Sequence, residues 1–188
     1  MSTLPTTRLL PLRLPRVCVA IAARDANEMV QRAEAVAREN TLLEFRLDYL
    51  RQPAAGLAKI KRFLEEHPEV IAIGTCRRAA NGGRFSGTIA SQVDVLAKAA
   101  KTGCQMVDLE LQSAEKLKPS DFNKLRTHAN VILSFHDFRG TGRLEETFRR
   151  MRLFPADFYK LVSTANTLLD NVTMMRFLQD QEIGRAHV

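Results

Sequence analysis

The sequence predicts an α/β chain whose parallel sheet belongs to a (β/α)8 barrel, with about six of the eight units present, and three observations carry that prediction. Six short β-branched or aliphatic runs alternate with stretches of helical period, the pattern of parallel strands joined by crossover helices. The middle polar residues of the last five runs, Glu44, Thr75, Asp108, Ser134 and Lys160, lie 31, 33, 26 and 26 residues apart. That leaves room for one strand and one helix per unit. Finally, residues 20–28 (AIAARDANE) contain no glycine, whereas an open dinucleotide-binding sheet carries a glycine fingerprint after its first strand.

In chain order the strand runs are 17–22, 42–48, 70–76, 105–111, 131–137 and 157–163. Asp25 followed by Glu28 opens a helix, in which Met29, Ala33, Val36 and Ala37 share a face. Ile89, Val93, Leu96, Ala97 and Ala100 step by threes and fours, and Gly103 closes that helix. Phe122, Leu125 and Ala129 repeat the pattern, as do Leu144, Phe148 and Met151, and a sixth helical stretch covers Thr167 to Gln179. No seventh strand follows. The expected organisation is an N-terminal extension (1–15), a partial barrel (16–180) and a non-native tail (181–188), because the closing IGRAHV fits neither period.

Composition narrows the function classes. The 188 residues are 45% apolar and 26% charged, the balance of a soluble globular domain. No apolar run approaches the roughly 18 residues that a bilayer span requires. The first residues lack a signal-peptide pattern, so a cytoplasmic location and no membrane partner are expected. Twenty-eight Lys and Arg against 21 Asp and Glu give a charge of +7. The basic residues are scattered and Trp is absent, which argues against nucleic acid. Cys18, Cys76 and Cys104 form no CxxC pair and read as reduced thiols, with no metal site among them.

Alternation along each strand sorts the polar residues to one face. Glu44, Arg46 and Asp48 oppose Leu43, Phe45 and Leu47; Ile71, Ile73, Thr75 and Arg77 share a face; Asp108 and Glu110 oppose Val107, Leu109 and Leu111. Ser134 and His136 sit with Ile132, and Lys160 with Phe158 and Val162. Such alternation also describes a half-exposed antiparallel strand, but crossover helices bury both faces of a sheet. The polar set is therefore expected inside, at the C-terminal strand ends where barrels keep their chemistry. Lys160, between Phe158 and Val162, is expected to be enclosed by apolar surface and so to act as an amine nucleophile toward carbonyls. His136, at the same end of the preceding strand, is the proton-transfer candidate. His67 and His128 read as surface residues, His187 falls in the tail, and Asp137 faces away and caps the next loop. The segment GGRFSG (82–87) reads either as a simple turn or as part of a lid.

These residues resemble a known family. ExRxD at Glu44, Arg46 and Asp48, TCR at 75–77 followed by Gly82 and Gly83, VDLEL at 107–111, SFHDF at 134–138 and the lysine of ADFYKLV at 156–162 are together similar to type I 3-dehydroquinate dehydratases, in the family's order and spacing. The resemblance implies a lyase of the shikimate pathway that dehydrates 3-dehydroquinate to 3-dehydroshikimate through a lysine imine, with no metal and no organic cofactor. It implies Lys160 as the Schiff-base lysine, His136 as the general acid and base, and Glu44, Arg46 and Arg77 as substrate-binding positions. An anionic small molecule is then the expected partner, with a homodimer as an option. Two departures stand out. Asn81 replaces the family's usual glutamate before the glycine pair, so an amide would orient His136. The family's last two strands supply an arginine for the substrate carboxylate and a lid, and the sequence read here has neither, so this polypeptide alone is expected to be poorly stable or inactive. A class I aldolase and a noncatalytic barrel are the competing readings.

Overall fold

The computed structural model describes Leu10 and residues 13–181; the proposed tail beyond Gln181, and most of the N-terminal extension, lie outside the described residues. Six strands form one sheet: β1 (Val19–Ile21), β2 (Leu42–Arg46), β3 (Ile71–Thr75), β4 (Met106–Glu110), β5 (Asn130–Asp137) and β6 (Phe158–Ser163). Every pairing is parallel, and the spatial order is the chain order, β1-β2-β3-β4-β5-β6. A doubly wound open sheet reverses its order at a switch point; this one does not, and it curls as a partial barrel. The curl brings side chains of non-neighbouring strands together, since Lys160 of β6 lies 3.7 Å from Glu44 of β2.

The crossovers are α1 (Ala26–Ala37), α2 (Leu57–Glu66), α3 (Ile89–Thr102), the short pair α4 (Leu111–Ala114) and α5 (Pro119–Arg126), and α6 (Leu144–Met151), with α7 (Leu168–Asp180) after β6. Local chemistry sets their ends. The Asp25 carboxylate accepts from the amides of Asn27 and Glu28 at the start of α1, Pro119 opens α5, and Thr167 with Asp170 forms a capping box on α7. Gly103 ends α3 at φ 116°, in the left-handed region that glycine enters without strain. The buried face of α3 is Gln92, Val95, Leu96, Ala99 and Ala100, turned from the predicted stripe so that Val93 and Ala97 are only partly buried. Gly74 explains the close fit of α3: a Cβ there would sit 2.9 Å from that of Ala99.

The two faces of the sheet differ. Outward, Leu43, Phe45, Ala72, Val107, Leu109, Val131, Leu133 and Phe135 pack under the helices in the main core. Inward, Leu42, Ile71, Ile73, Met106 and Ile132 form a second cluster at the N-terminal strand ends, with Leu10, Leu14 and Phe158 against it. Burial of both faces does not extend to β6, which is an edge strand whose Val162 is 37% exposed. Helix α7 leaves Leu168, Leu169 and Met175 exposed. The three cysteines are free, as read from the sequence. Among the described residues, no helix is long and apolar enough to cross a membrane.

Candidate active site

Two residues beyond the inner apolar cluster, the same strands turn polar. Glu44, Thr75, Asp108, Ser134 and Lys160 point inward, and Arg46, Arg77 and His136 stand at or just past the strand ends. The register places Thr75 beside both Arg46 and Asp108, and Ser134 beside Lys160. All five residues singled out by the sequence therefore share one end of the sheet.

The surroundings of Lys160 differ from the expected apolar slot. Its side chain is 37% exposed, and Nζ lies 3.4 Å from Asp108 Oδ2 and 3.7 Å from Glu44 Oε2. Phe158 and Val162 do flank it along the strand, β6 being the last of the described strands. Two carboxylates, rather than an apolar wall, hold it. The register also pairs His136 with Val162, one pleat above Lys160, so the imidazole stands over the amine rather than beside it.

Asp108, buried to within 1% exposure, is the hub that ties the residues together. It accepts from Ser134 Oγ at 2.5 Å, Arg77 Nη2 at 3.1 Å and Lys160 Nζ at 3.4 Å. Arg77, itself buried, turns its other terminal nitrogen to His136 Nε2 at 3.0 Å. Burial, reinforced by the Arg77 charge, pushes the His136 imidazole down to about 4, with Asp108 opposing. Sequence reasoning placed Asp108 on the inner face without assigning it a role. Its position between Thr75 and Ser134 in the strand series was the available signal.

Glu44 and Arg46 are braced differently. Strand β2 ends at Arg46, and Leu47–Tyr49 forms a 3-10 turn, so Asp48 leaves the strand face predicted for it. From that turn it takes Arg46 in a two-pronged pair, Nε to Oδ1 at 3.0 Å and Nη2 to Oδ2 at 2.9 Å. Asp48 also accepts the Arg84 amide at 3.1 Å, and the guanidinium groups of Arg46 and Arg84 lie 4.9 and 4.2 Å from the centre of the Tyr49 ring.

Asn81 does not hold the imidazole. Its amide reaches Glu110 Oε1 at 3.5 Å, and the Glu110 carboxylate also accepts from the Arg78 amide at 2.7 Å and from Gln92. Burial raises the Glu110 carboxyl above its ordinary value. The 82–87 segment is a pinned turn: Phe85 N donates to Arg77 O at 3.0 Å and Ala79 N to Phe85 O at 2.9 Å. A Cβ at Gly83 would fall 2.1 Å from the Arg77 carbonyl, so the close approach requires glycine. Asp137 caps the following loop as expected, accepting from the Arg139 amide at 2.9 Å and from Arg143. His67 caps the end of α2, and neither it nor His128 enters the site. Among the described residues, no cluster of three or more His, Cys, Asp or Glu could hold a metal ion.

A family profile described as type I 3-dehydroquinase matches residues 17–184. A 3-dehydroquinate dehydratase of Dehalococcoides mccartyi is 32% identical over 179 residues, covering 90% of this chain and 72% of the relative. One from Coxiella burnetii is 29% identical over 170 residues, covering 89% and 70%. Among solved structures, a type I 3-dehydroquinate dehydratase from Clostridium difficile, determined with covalently modified comenic acid, superposes with a TM-score of 0.77 at 20% identity, covering 89% of this chain and 70% of that one.

Proposed function

The chain belongs to the type I 3-dehydroquinase family, and from that premise we propose which of its residues carry the dehydration of 3-dehydroquinate to 3-dehydroshikimate. Lys160 is the Schiff-base lysine. Its free amine adds to the substrate ketone, the resulting carbinolamine loses water, and the iminium that remains draws electrons from the adjacent C–H bond. His136 removes that proton. The electron pair moves into the enamine and then expels the hydroxyl at the next carbon, which leaves with a proton returned by His136. Water adds to the iminium carbon, and collapse releases product and the amine. The net change is loss of one water.

The other residues bind and orient. Glu44, 3.7 Å from the amine, grips a substrate hydroxyl beside it, and Asp108 at 3.4 Å takes and returns a proton as the carbinolamine forms and breaks. Arg46 and Arg77 present guanidinium groups to the hydroxyls of an anionic substrate, each braced by a carboxylate that fixes its direction. The observation that carries this reading is the connection of Lys160 to His136 through Asp108 and Arg77 at the C-terminal end of the sheet.

Borohydride reduction in the presence of 3-dehydroquinate tests the assignment, and it needs one covalent event rather than turnover. A mass increase on the tryptic peptide containing Lys160 is expected. A modification at a different lysine would overturn the assignment of the nucleophile.

A further inference from the structure

A histidine accepts a proton only through a free ring nitrogen, and here Nε2 of His136 is covered. Arg77 Nη1 stands 3.0 Å from it. A guanidinium donates and never accepts, so Nε2 is the accepting nitrogen and the neutral ring carries its hydrogen on Nδ1. The same guanidinium is anchored to the buried Asp108 at 3.1 Å, so its direction is set from the neighbouring strand. Yet the arrangement leaves polar capacity unused. Among the described residues, Arg77 Nε is buried without a partner, and so is the hydroxyl of Thr75, two residues earlier on the same strand face. Buried polar atoms without partners are uncommon in folded proteins, and two neighbouring ones mark a contact set that has an alternative.

We propose that Arg77 is a positioning residue for His136: it fixes the Nδ1–H tautomer and covers Nε2, and transfer of the guanidinium to a ligand's oxygen atoms uncovers Nε2 for proton transfer. The functional half of this inference rests on His136 being the proton-transfer group; the contact itself does not. The charged groups around the ring are Arg77 from the end of β3, Asp108 from β4, Lys160 from β6 and Arg46 from β2. Phe138 stacks on the ring with centroids 6.1 Å apart and planes at 25°, which holds the imidazole plane while Arg77 selects its tautomer. Among the cationic neighbours, Arg77 contributes most to keeping the ring neutral, so drawing it away makes His136 more basic at the moment a base is required.

Nitrogen-detected NMR of the full chain with labelled histidine reads both tautomer and titration, with His136→Gln assigning the signal. The wild type is expected to show Nδ1–H at neutral pH and a midpoint near the value of about 4 set by its surroundings. Arg77→Gln is expected to raise the midpoint toward the ordinary 6.5, and Arg77→Lys, which keeps the charge and loses the fork, by less. In Lys160→Met, added 3-dehydroquinate should raise the midpoint in the same direction. An Nε2–H tautomer in the wild type, or a midpoint unmoved by Arg77→Gln, overturns the proposal. Should Arg77→Gln fail to fold, the wild-type tautomer still decides. Failure of the borohydride experiment at Lys160 would leave the tautomer and the Arg77 variants' midpoints unchanged, so the two readings fail separately.

Discussion

The inner face of the sheet has two halves built on the same strands and separated by one side-chain layer. The lower half, Leu42, Ile71, Ile73, Met106 and Ile132 over Leu10 and Leu14, is held by shape and exclusion of water, and any set of side chains of similar volume would serve. The upper half, Glu44, Arg46, Arg77, Asp108 and Lys160 around the neutral His136, is charged. Buried charges are tolerated only when paired and hydrogen-bonded, and here each cation has its carboxylate: Arg46 with Asp48, Arg77 with Asp108, Lys160 with Asp108 and Glu44. The contrast teaches that stability and chemistry are divided along the strand axis. Moving two residues up a strand changes the rule from filling space to satisfying partners.

Substitutions can break this division, starting with the largest effect. Lys160→Met should remove the borohydride-reducible adduct altogether while leaving the circular dichroism spectrum intact; a persisting adduct would place the nucleophile elsewhere. His136→Gln should still form the Lys160 adduct but hold it at the mass of the undehydrated substrate imine, whereas the wild type is trapped at the mass of the dehydrated product imine, read by mass spectrometry of the reduced peptide. Asp108→Ala leaves Arg77 as an uncompensated buried charge and should cost about 3–5 kcal/mol in urea denaturation. Met106→Ala, one layer below, should cost about 2–5 kcal/mol through a cavity and leave adduct formation in the folded fraction unaltered. Were Met106→Ala to abolish trapping in folded protein, the two halves would not be separable.

The smallest effect sharpens the comparison through pH. The folded His136 value of about 4 lies below the unfolded value of 6.5, so between the two the unfolded chain binds the extra proton. Stability is then greatest above pH 6.5 and declines as pH falls through about 4. Urea midpoints measured from pH 7 to 4 should fall more steeply for the wild type than for His136→Gln, and parallel slopes would remove the argument.

Much of the strand framework was legible because parallel strands buried on both faces leave a simple record: an aliphatic run, a polar residue at the far end, then a helical stripe. The helix start at Asp25 and the stop at Gly103 followed from cap chemistry alone. Periodicity failed where neighbours decide. The α3 stripe was displaced because Gly74 and Cys104 set how that helix seats, and Asp48 left its strand because the backbone turns after Arg46. In the site, side-chain parity brought Lys160 and His136 to one end. It could not show which groups touch them, because Asp108 reaches across two strands and Arg77 arrives from a third. Asn81 drew attention as a departure from the family pattern, whereas its amide reaches Glu110.

The strict agreement of spatial and chain order, β1 through β6, has a consequence for how the molecule is made. Each strand's docking edge is supplied by the segment synthesised just before it, so pairing need never wait for a distant part of the polypeptide. Each parallel pairing still has to wait for its crossover helix, which makes it slower than a hairpin, but a nascent chain of this design can add one unit after another as it emerges, in the direction of translation.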